Sequence, residues 1–573
     1  MAEWGRELFQ LSLGEVGRQH GHFCLGAGFC LLFFLTGCTP DIYQNRADLE
    51  TYSALYEKTP DVDNVDGDDV DIELPAPMNL SDLPREGRGS EFLGTMASSE
   101  IGAAVLPLDE ALETGVTYGR DYLDEKERVF LSALSLTLAR YELTPITFAQ
   151  GELEWATDNR LSAVNNLVTT NTFSRRASTG FNWLCKTGAR ISADFTRDFL
   201  RFTTGNRSLN RSDLAFTIIQ PILQGGGTTV TMEALTQEER NVLYELRSFA
   251  DFRRDFVVDV VSDYYGVLRA RDQVNNAYVA YLGFKTNVER EEALAEEDRR
   301  TQTQLGRLRQ AALQSESRWI NSIRAYQTLL DNFKITLGIP VERSLILEDR
   351  ELAKLRIEPV DISRDEAVKI ALVARPDLQT ARDQVEDAER RIEVAKNGLL
   401  PGVDISLDYN SRSDPGDNTP DINFDRRRWE GSIDLDLPFD RKAQRNNYRA
   451  AQIFLNRATR RYDLAQDQAR LEIYDDWRAL EQARKNFEVA EQQVALARRR
   501  LDEQLLLAEL GRGEALDLVD AQNDLVSSQN QRTSTLIEHT LARLRLWSDM
   551  GILYVSEDGS WVKRLRNEPP LAP

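Results

Sequence analysis

The sequence predicts a mainly α-helical fold that carries a small set of β-strands, each with one apolar and one polar face. Three observations predict this fold class: segments with strict two-residue alternation, long charged helical segments with a heptad repeat, and a sequence plan that occurs twice. The length of 573 residues is sufficient for several structural units. The net charge of −23 argues against a nucleic-acid partner, because phosphate binding needs clustered lysine and arginine.

Four segments alternate as expected of strands that separate an apolar from a polar environment. The clearest are 429–439, which reads WEGSIDLDLPF, and 402–410. The first half offers 186–200, which alternates well, and 213–222, which is less regular. Aromatic residues lie near the strand ends, where a membrane protein places its interfacial girdle: Trp183, Tyr409, Trp429 and Phe439.

These strands have a membrane interpretation and a soluble one. Strands of about 9–11 residues cross a bilayer only within a closed barrel, since open edges leave backbone groups unpaired in lipid. Four strands are too few to close a barrel, so the membrane interpretation requires several copies of the chain. The apolar face would then contact lipid, and the acidic face would line a water-filled lumen. A soluble hairpin packed on a helix has the same periodicity, so the residues alone leave both interpretations open.

Long helices flank the strands in both halves of the sequence. Residues 443–508 would extend about 100 Å, which indicates one continuous helix lying against two shorter ones. Its heptad seam repeats Leu480, Phe487, Val494 and Leu501, with Ala483, Ala490 and Ala497 between them. The other predicted helices are 109–144, 235–303, 308–337, 365–400 and 514–548.

The N-terminus has the pattern of a bacterial lipoprotein. An apolar run at 24–35 is too short to span a bilayer as a helix, and Leu35-Thr36-Gly37-Cys38 follows in the order of a lipobox. We therefore expect residues 1–37 to be a signal peptide and Cys38 to be the lipid anchor. A signal peptide with a chance cysteine at its end is the alternative. Within the N-terminal segment 38–105, residues 61–91 are acidic and rich in proline and glycine, which predicts a solvated tether.

The side chains needed for catalysis are scarce. After removal of the signal peptide, His539 is the remaining histidine and Cys185 the remaining cysteine besides the anchor. A calcium-loop spacing within 62–73 begins with Val62, which cannot ligate. The sequence therefore predicts that the protein is not an enzyme and has no metal or cofactor.

The internal repeat and several phrases together resemble the TolC-like outer-membrane factors of the lipoprotein type. Asp109-Glu110-Ala111 recurs as Asp365-Glu366-Ala367, and each half runs helix, two strands, long helix, helix. The resemblance covers roughly residues 105–553. The phrases that carry it are QPIL (220–223), LDNFKITLGIP (330–340), ARPDL (374–378), DLPF (436–439) and LGRGEALDLVDAQ (510–522).

The resemblance implies a homotrimer in which three times four strands close a twelve-stranded β-barrel above a tunnel of twelve α-helices. It implies a passive exit duct of a tripartite efflux pump or type I secretion system in the cell outer membrane, with its tunnel in the periplasm. The implied partners are a periplasmic adaptor protein, an inner-membrane pump and outer-membrane lipid. A lipid-anchored periplasmic coiled-coil scaffold without a pore is the alternative function. The implied domains are the signal peptide (1–37), tether (38–105), first repeat (106–340), equatorial linker (341–364), second repeat (365–553) and C-terminal tail (554–573).

The resemblance also implies a gate at the periplasmic tip of the tunnel. Asp517 and Asp520 lie three residues apart on one helical face, shortly after a tip turn at Gly511 and Arg512. Six carboxylates in a trimer would attract cations and repel anions. The residues alone are equally explained by a solvated helix N-terminus.

The matching tip turn in the first half is expected at Gly306, where alanine and serine replace the aspartates. Some family members latch the gate with tyrosine and arginine. Here Ala508 and Gly513 stand at those positions, and Arg512 is displaced by one residue.

Overall fold

The structure is a computed structural model that describes residues 39–161, 167–202, 208–296, 301–359, 362–414, 421–510, 512 and 514–563. The signal peptide and Cys38 lie outside these residues. The helices are α1 Pro40–Lys58, α2 Leu108–Tyr118, α3 Arg120–Tyr141, α4 Thr228–Thr231, α5 Glu233–Glu296, α6 Gln302–Thr336, α7 Arg350–Lys354, α8 Arg364–Ala374, α9 Pro376–Asn397, α10 Lys442–Glu509 and α11 Ala515–Asp549. The strands are β1 Ala104–Leu106, β2 Ile146–Leu161, β3 Leu167–Leu184, β4 Arg190–Phe202, β5 Ser208–Pro221, β6 Leu345–Leu347, β7 Gly402–Arg412, β8 Asn423–Asp436, β9 Leu553–Val555 and β10 Trp561–Lys563.

Two long helices run the length of the helical region. α5 has 64 residues and α10 has 68, which corresponds to about 100 Å each at 1.5 Å per residue. α10 packs against α11 along one part and against α9 and α8 along the other, while α5 packs against α6 and α3. The predicted arrangement of one long helix beside two shorter ones is therefore present in both halves. The small heptad residues Ala483, Ala490 and Ala497 are buried, which allows this close approach.

The two shorter predicted helices are each divided by one extended residue. Between α2 and α3, Gly119 has ψ 122°, and a Cβ there would lie 2.3 Å from the carbonyl oxygen of Gly115. Between α8 and α9, Arg375 has ψ 121° because the ring of Pro376 disfavours a helical residue before it. The predictions of single helices at 109–144 and 365–400 are wrong at these two residues.

The main sheet has six antiparallel strands in the order β2-β3-β4-β5-β7-β8. The prediction of four strands is therefore wrong, since β2 and β3 form a hairpin that precedes the first predicted strand. The sequence of this hairpin is rich in threonine, serine, asparagine and charged residues, so its apolar alternation is weak. The sheet of the single chain is open: among the described residues, no strand pairs with the outer edges of β2 and β8.

The register of the sheet separates an apolar face from a polar one. One row across the six strands carries Thr147, Phe181, Ala193, Phe216, Tyr409 and Trp429. The adjacent row, on the opposite face, carries Ile146, Asn182, Ser192, Thr217, Asp408 and Glu430. Ile433 and Leu435 on the apolar face are 67% and 64% exposed. Exposure of large apolar side chains in a regular pattern indicates a surface that contacts an apolar environment.

The N-terminal segment is packed on the helical region, which corrects the prediction of a solvated tether. α1 buries Thr51, Ala54 and Leu55, and Val62 and Val70 join the main core. Within the acidic segment 61–91, Asp69 forms a buried ion pair with Arg253 of α5.

Arg253 joins three distant parts of the chain. Its side chain is 1% exposed, and it donates hydrogen bonds to the backbone carbonyls of Asn64 (2.9 Å), Val555 (3.2 Å) and Ser556 (3.3 Å) in addition to Asp69. The amide of Val555 donates in turn to Oδ1 of Asn64 at 3.0 Å. The N-terminal segment, α5 and β9 are therefore fixed together at one point, here called the Arg253 clamp.

We expect Asp69→Ala to lower the free energy of unfolding by about 3–5 kcal/mol, because it leaves the buried Arg253 guanidinium without its counter-charge. Urea unfolding of the detergent-solubilised mature protein measures this change. Asp61→Ala removes an exposed carboxylate from the same segment and is the matched control. Equal effects of the two substitutions would contradict a structural role for the clamp.

Candidate functional site

At the tip of the second helical hairpin, α10 ends at Glu509 and α11 begins at Ala515. The amide of Arg512 donates to the carbonyl of Leu507 at 2.9 Å, which closes the last turn of α10. The Arg512 side chain is exposed, and α11 begins three residues later at Ala515. Gly511 lies outside the described residues, so the tip turn expected at this glycine stays a prediction.

Asp517 and Asp520 both lie on the exposed face at the start of α11. The residues between and after them face inward: Leu518 and Ala521 are buried against Leu501 of α10. Within the described part of the chain, no hydrogen bond or ion pair reaches either carboxylate. The sequence-predicted gate residues are therefore brought together as two exposed, uncompensated negative charges.

The next carboxylate on this side of α11 is paired. Asp524 forms an ion pair with Arg500 of α10, which connects the two arms of the hairpin. The sequence did not predict this pair, because the two residues belong to different helices and no helical repeat relates their positions. Asp524 is therefore compensated by Arg500, whereas Asp517 and Asp520 have no ion pair among the described residues.

The corresponding tip in the first half does not lie at Gly306. That glycine is inside α6, because Thr301 caps the helix five residues earlier by accepting a hydrogen bond from the amide of Gln304. The prediction of a tip turn at Gly306 is therefore wrong, and α5 has ended before it, at Glu296. Arg309 of α6 bridges back to Glu292 of α5 with an N–O distance of 2.6 Å, which joins the arms of this hairpin.

The two hairpin tips contact each other. Val519, which lies between Asp517 and Asp520, packs on the buried cluster of Phe284 and Leu308 in the first hairpin. Arg318 of α6 donates to Oδ1 of Asn523 in α11 at 2.9 Å. Any outward movement of the second tip must break these contacts, so the position of Asp517 and Asp520 depends on the first hairpin.

A buried acidic pair lies away from the tip, where α10 meets the end of α11. Burial raises the pKa of Asp476 from 3.8 to about 8, and the neighbouring carboxylate of Asp549 adds to this increase. Burial also raises the pKa of Asp255, which accepts a hydrogen bond from Ser548 at 3.2 Å. The folded protein therefore holds a proton at Asp476 that the unfolded chain releases at lower pH.

Neither a metal cluster nor a membrane-crossing helix is found among the described residues. In the described ranges, no group of three or more histidine, cysteine, aspartate or glutamate residues is arranged to hold a metal ion. Asn64 belongs to the calcium-loop spacing at 62–73. Its side-chain oxygen accepts a hydrogen bond from the backbone amide of Val555. No helix among the described residues is both long and apolar enough to cross a membrane.

Comparisons with known proteins agree with this architecture. Residues 367–546 match the family model for outer membrane efflux proteins. The outer membrane efflux protein BepC of Brucella suis biovar 1 is 26% identical over 174 residues, which is 29% of this chain and 36% of BepC. The CmeC outer membrane channel of Campylobacter jejuni has a TM-score of 0.59 at 12% identity, covering 83% of this chain and 94% of that one. The outer membrane protein VceC of Vibrio cholerae has a TM-score of 0.58 at 13% identity, covering 78% and 96%.

The second half of the chain is therefore similar in sequence to outer membrane efflux proteins, and the chain shares the fold of the solved outer membrane channels. The related proteins are channels rather than enzymes, which confirms the prediction that this protein is not an enzyme. The sequence match spans about a third of the curated relative.

The Asp476 pair predicts a specific pH dependence of stability. Because the pKa of Asp476 is higher in the folded than in the unfolded protein, its contribution to stability is lost as the pH rises from about 4 to about 8. We expect Asp476→Asn to raise the midpoint of thermal unfolding at about pH 8 by a few degrees, with a smaller gain at about pH 5. Differential scanning calorimetry at both pH values measures the difference.

Asp475→Asn is the control for this prediction, since Asp475 is exposed and forms a surface ion pair with Arg478. A gain for Asp476→Asn that is the same at both pH values would contradict the buried, protonated state of Asp476.

Proposed function

We propose that the chain is one subunit of a trimeric outer-membrane exit duct that belongs to a tripartite efflux pump or a type I secretion system. The observation that carries this proposal is the sheet with an exposed apolar face, joined to helices of about 100 Å. Such a sheet suits lipid on one side and water on the other, and the helices are long enough to extend well into the periplasm. The family match supports a role in efflux.

The duct is passive in this proposal. An inner-membrane pump supplies the energy, and a periplasmic adaptor protein docks at the helical tips. The lipid attached to Cys38 anchors the N-terminal segment in the outer membrane. Because this segment packs on α5 through the Arg253 clamp, the anchor and the helical tunnel form one mechanical unit.

The tips of the three subunits close the duct in this proposal. Asp517 and Asp520 of each copy would then converge as six carboxylates, and no described residue of the same chain compensates their charge. Such a ring concentrates cations and excludes anions. The duct opens when the α10–α11 hairpins move outward, which requires loss of contacts such as the Arg318–Asn523 hydrogen bond.

The first test is the native mass of the mature protein extracted in mild detergent, followed by conductance in planar bilayers. We expect a trimer that forms cation-selective pores. A monomer or dimer without conductance in several detergents would overturn the duct and favour the anchored coiled-coil scaffold, which needs neither a pore nor a trimer.

Neutralising the aspartates tests the gate. We expect Asp517→Asn combined with Asp520→Asn to lower the cation-over-anion permeability ratio by about threefold or more, because six negative charges leave the narrowest part of the duct. Reversal potentials across a salt gradient measure the ratio.

The matched control is Asp463→Asn combined with Asp502→Asn, which removes the same charge from exposed positions on α10. An equal loss of selectivity in both double variants would show that total charge, and not a gate at α11, determines the selectivity.

A further inference from the structure

We propose that the β2–β3 hairpin is part of the membrane wall and that β2 pairs with β8 of the next copy. Each copy contributes six strands, so three copies close a barrel of three times six, or eighteen, strands. This proposal rests on the trimer of the proposed function. It replaces the twelve-stranded barrel that the four-strand prediction implied.

The hairpin is continuous with the rest of the sheet. β3 pairs with β4 along the whole stretch from Thr172 to Leu184, and β2 pairs with β3 from end to end. At Gly180 the strands pack so closely that a Cβ would lie 2.1 Å from the carbonyl oxygen of Ala193 on β4 and 3.0 Å from the ring of Phe148 on β2. β2, β3 and β4 therefore form one packed surface.

The polar faces of these three strands are joined by charge. Arg176 of β3 contacts Asp198 of β4 at 2.8 Å and Glu152 of β2 at 3.7 Å. The same face carries Asp408 of β7, which accepts a hydrogen bond from Thr217 of β5 at 2.7 Å. The hairpin thus extends the polar, water-facing side of the wall.

The apolar face also continues onto the hairpin, and its exposed residues lie at different heights on β2 and β8. On β8, exposed apolar residues lie between Trp429 and Leu435. They are on one side of the register row that joins Trp429 of β8 to Thr147 of β2 across the sheet. On β2 they are Leu153 and Trp155, 71% and 63% exposed, to the other side of that row. An apolar band that crosses the register rows diagonally is expected when strands tilt within a barrel.

The two open edges match each other. Adjacent strands alternate in direction, so with six strands β2 and β8 run in opposite directions and form an antiparallel pair when copies meet. Their lengths are 16 and 14 residues. A twelve-stranded barrel would instead require β8 of the next copy to pair with β4, but β3 and β5 occupy both edges of β4.

The consequence is a wider exit. Barrel diameter grows roughly linearly with strand number, so eighteen strands give an opening about one and a half times as wide as twelve. The size limit for cargo is then set by the helical tips and not by the membrane wall.

Disulfide cross-linking in intact outer membranes tests the proposal, in a Cys185→Ser background that keeps Cys38. One set of variants pairs a cysteine at Gln150, Glu152 or Glu154 of β2 with one at Arg428, Glu430 or Ser432 of β8. A second set pairs a cysteine at Ser192, Asp194 or Thr196 of β4 with the same β8 positions. Single-cysteine variants control for background, and the partners Ser178 and Thr196 test the β3–β4 pairing within one chain.

We expect covalent trimers from the β2–β8 set, an internal link between positions 178 and 196, and no product from the β4–β8 set. Electron cryomicroscopy of the extracted trimer should show eighteen strands. Twelve strands, or covalent trimers from the β4–β8 set, would overturn the wider barrel and leave the duct intact. A protein with no threefold assembly and no conductance would overturn the proposed function and, with it, the trimer on which the wider barrel depends.

Discussion

Backbone hydrogen bonding is the constraint on which the rest of the architecture depends. A strand in lipid has no water to satisfy its amide and carbonyl groups, so every strand edge needs a protein partner. In one copy of this chain the outer edges of β2 and β8 lack such a partner among the described strands. The apolar face of the sheet is therefore usable in a membrane only within an assembly, and the packing of the long helices must follow the symmetry of that assembly.

The helical region separates the sheet at one end of the subunit from the hairpin tips at the other end. α5 and α10 are continuous, whereas the shorter helices beside them are interrupted at Gly119 and Arg375. The continuous helices link the sheet to the tips. The interruptions lie in the shorter helices packed along them, and the Arg253 clamp fixes the terminal segments to α5.

Elements with a strong local pattern could be predicted from the sequence. α10 and α11 were predicted to within one residue at each end, because heptad periodicity and the tip sequence are local signals. The gate aspartates were predicted only through family resemblance, and their exposure agrees with a helix whose opposite face carries Leu518 and Ala521.

Other features depend on tertiary contacts and could not be predicted. The β2–β3 hairpin has weak alternation, and its place is fixed by pairing with β4. Asp69 in the segment 61–91 pairs with Arg253, which is 184 residues away in the sequence. The start of α6 is fixed by the Thr301 cap, whereas the sequence predicts a turn at Gly306.

The Arg253 clamp can form only late in the synthesis of the chain. Its partners are at positions 64, 69, 555 and 556, so the clamp closes only when almost the whole chain has been made. Contacts across such long separations form slowly, because the chain between them must first be confined. Until then the N-terminal segment lacks its buried counter-charge and several of its apolar contacts. The nascent subunit consequently needs protection from aggregation until its last strands emerge, and truncation near the C-terminus should impair folding at the opposite end of the chain.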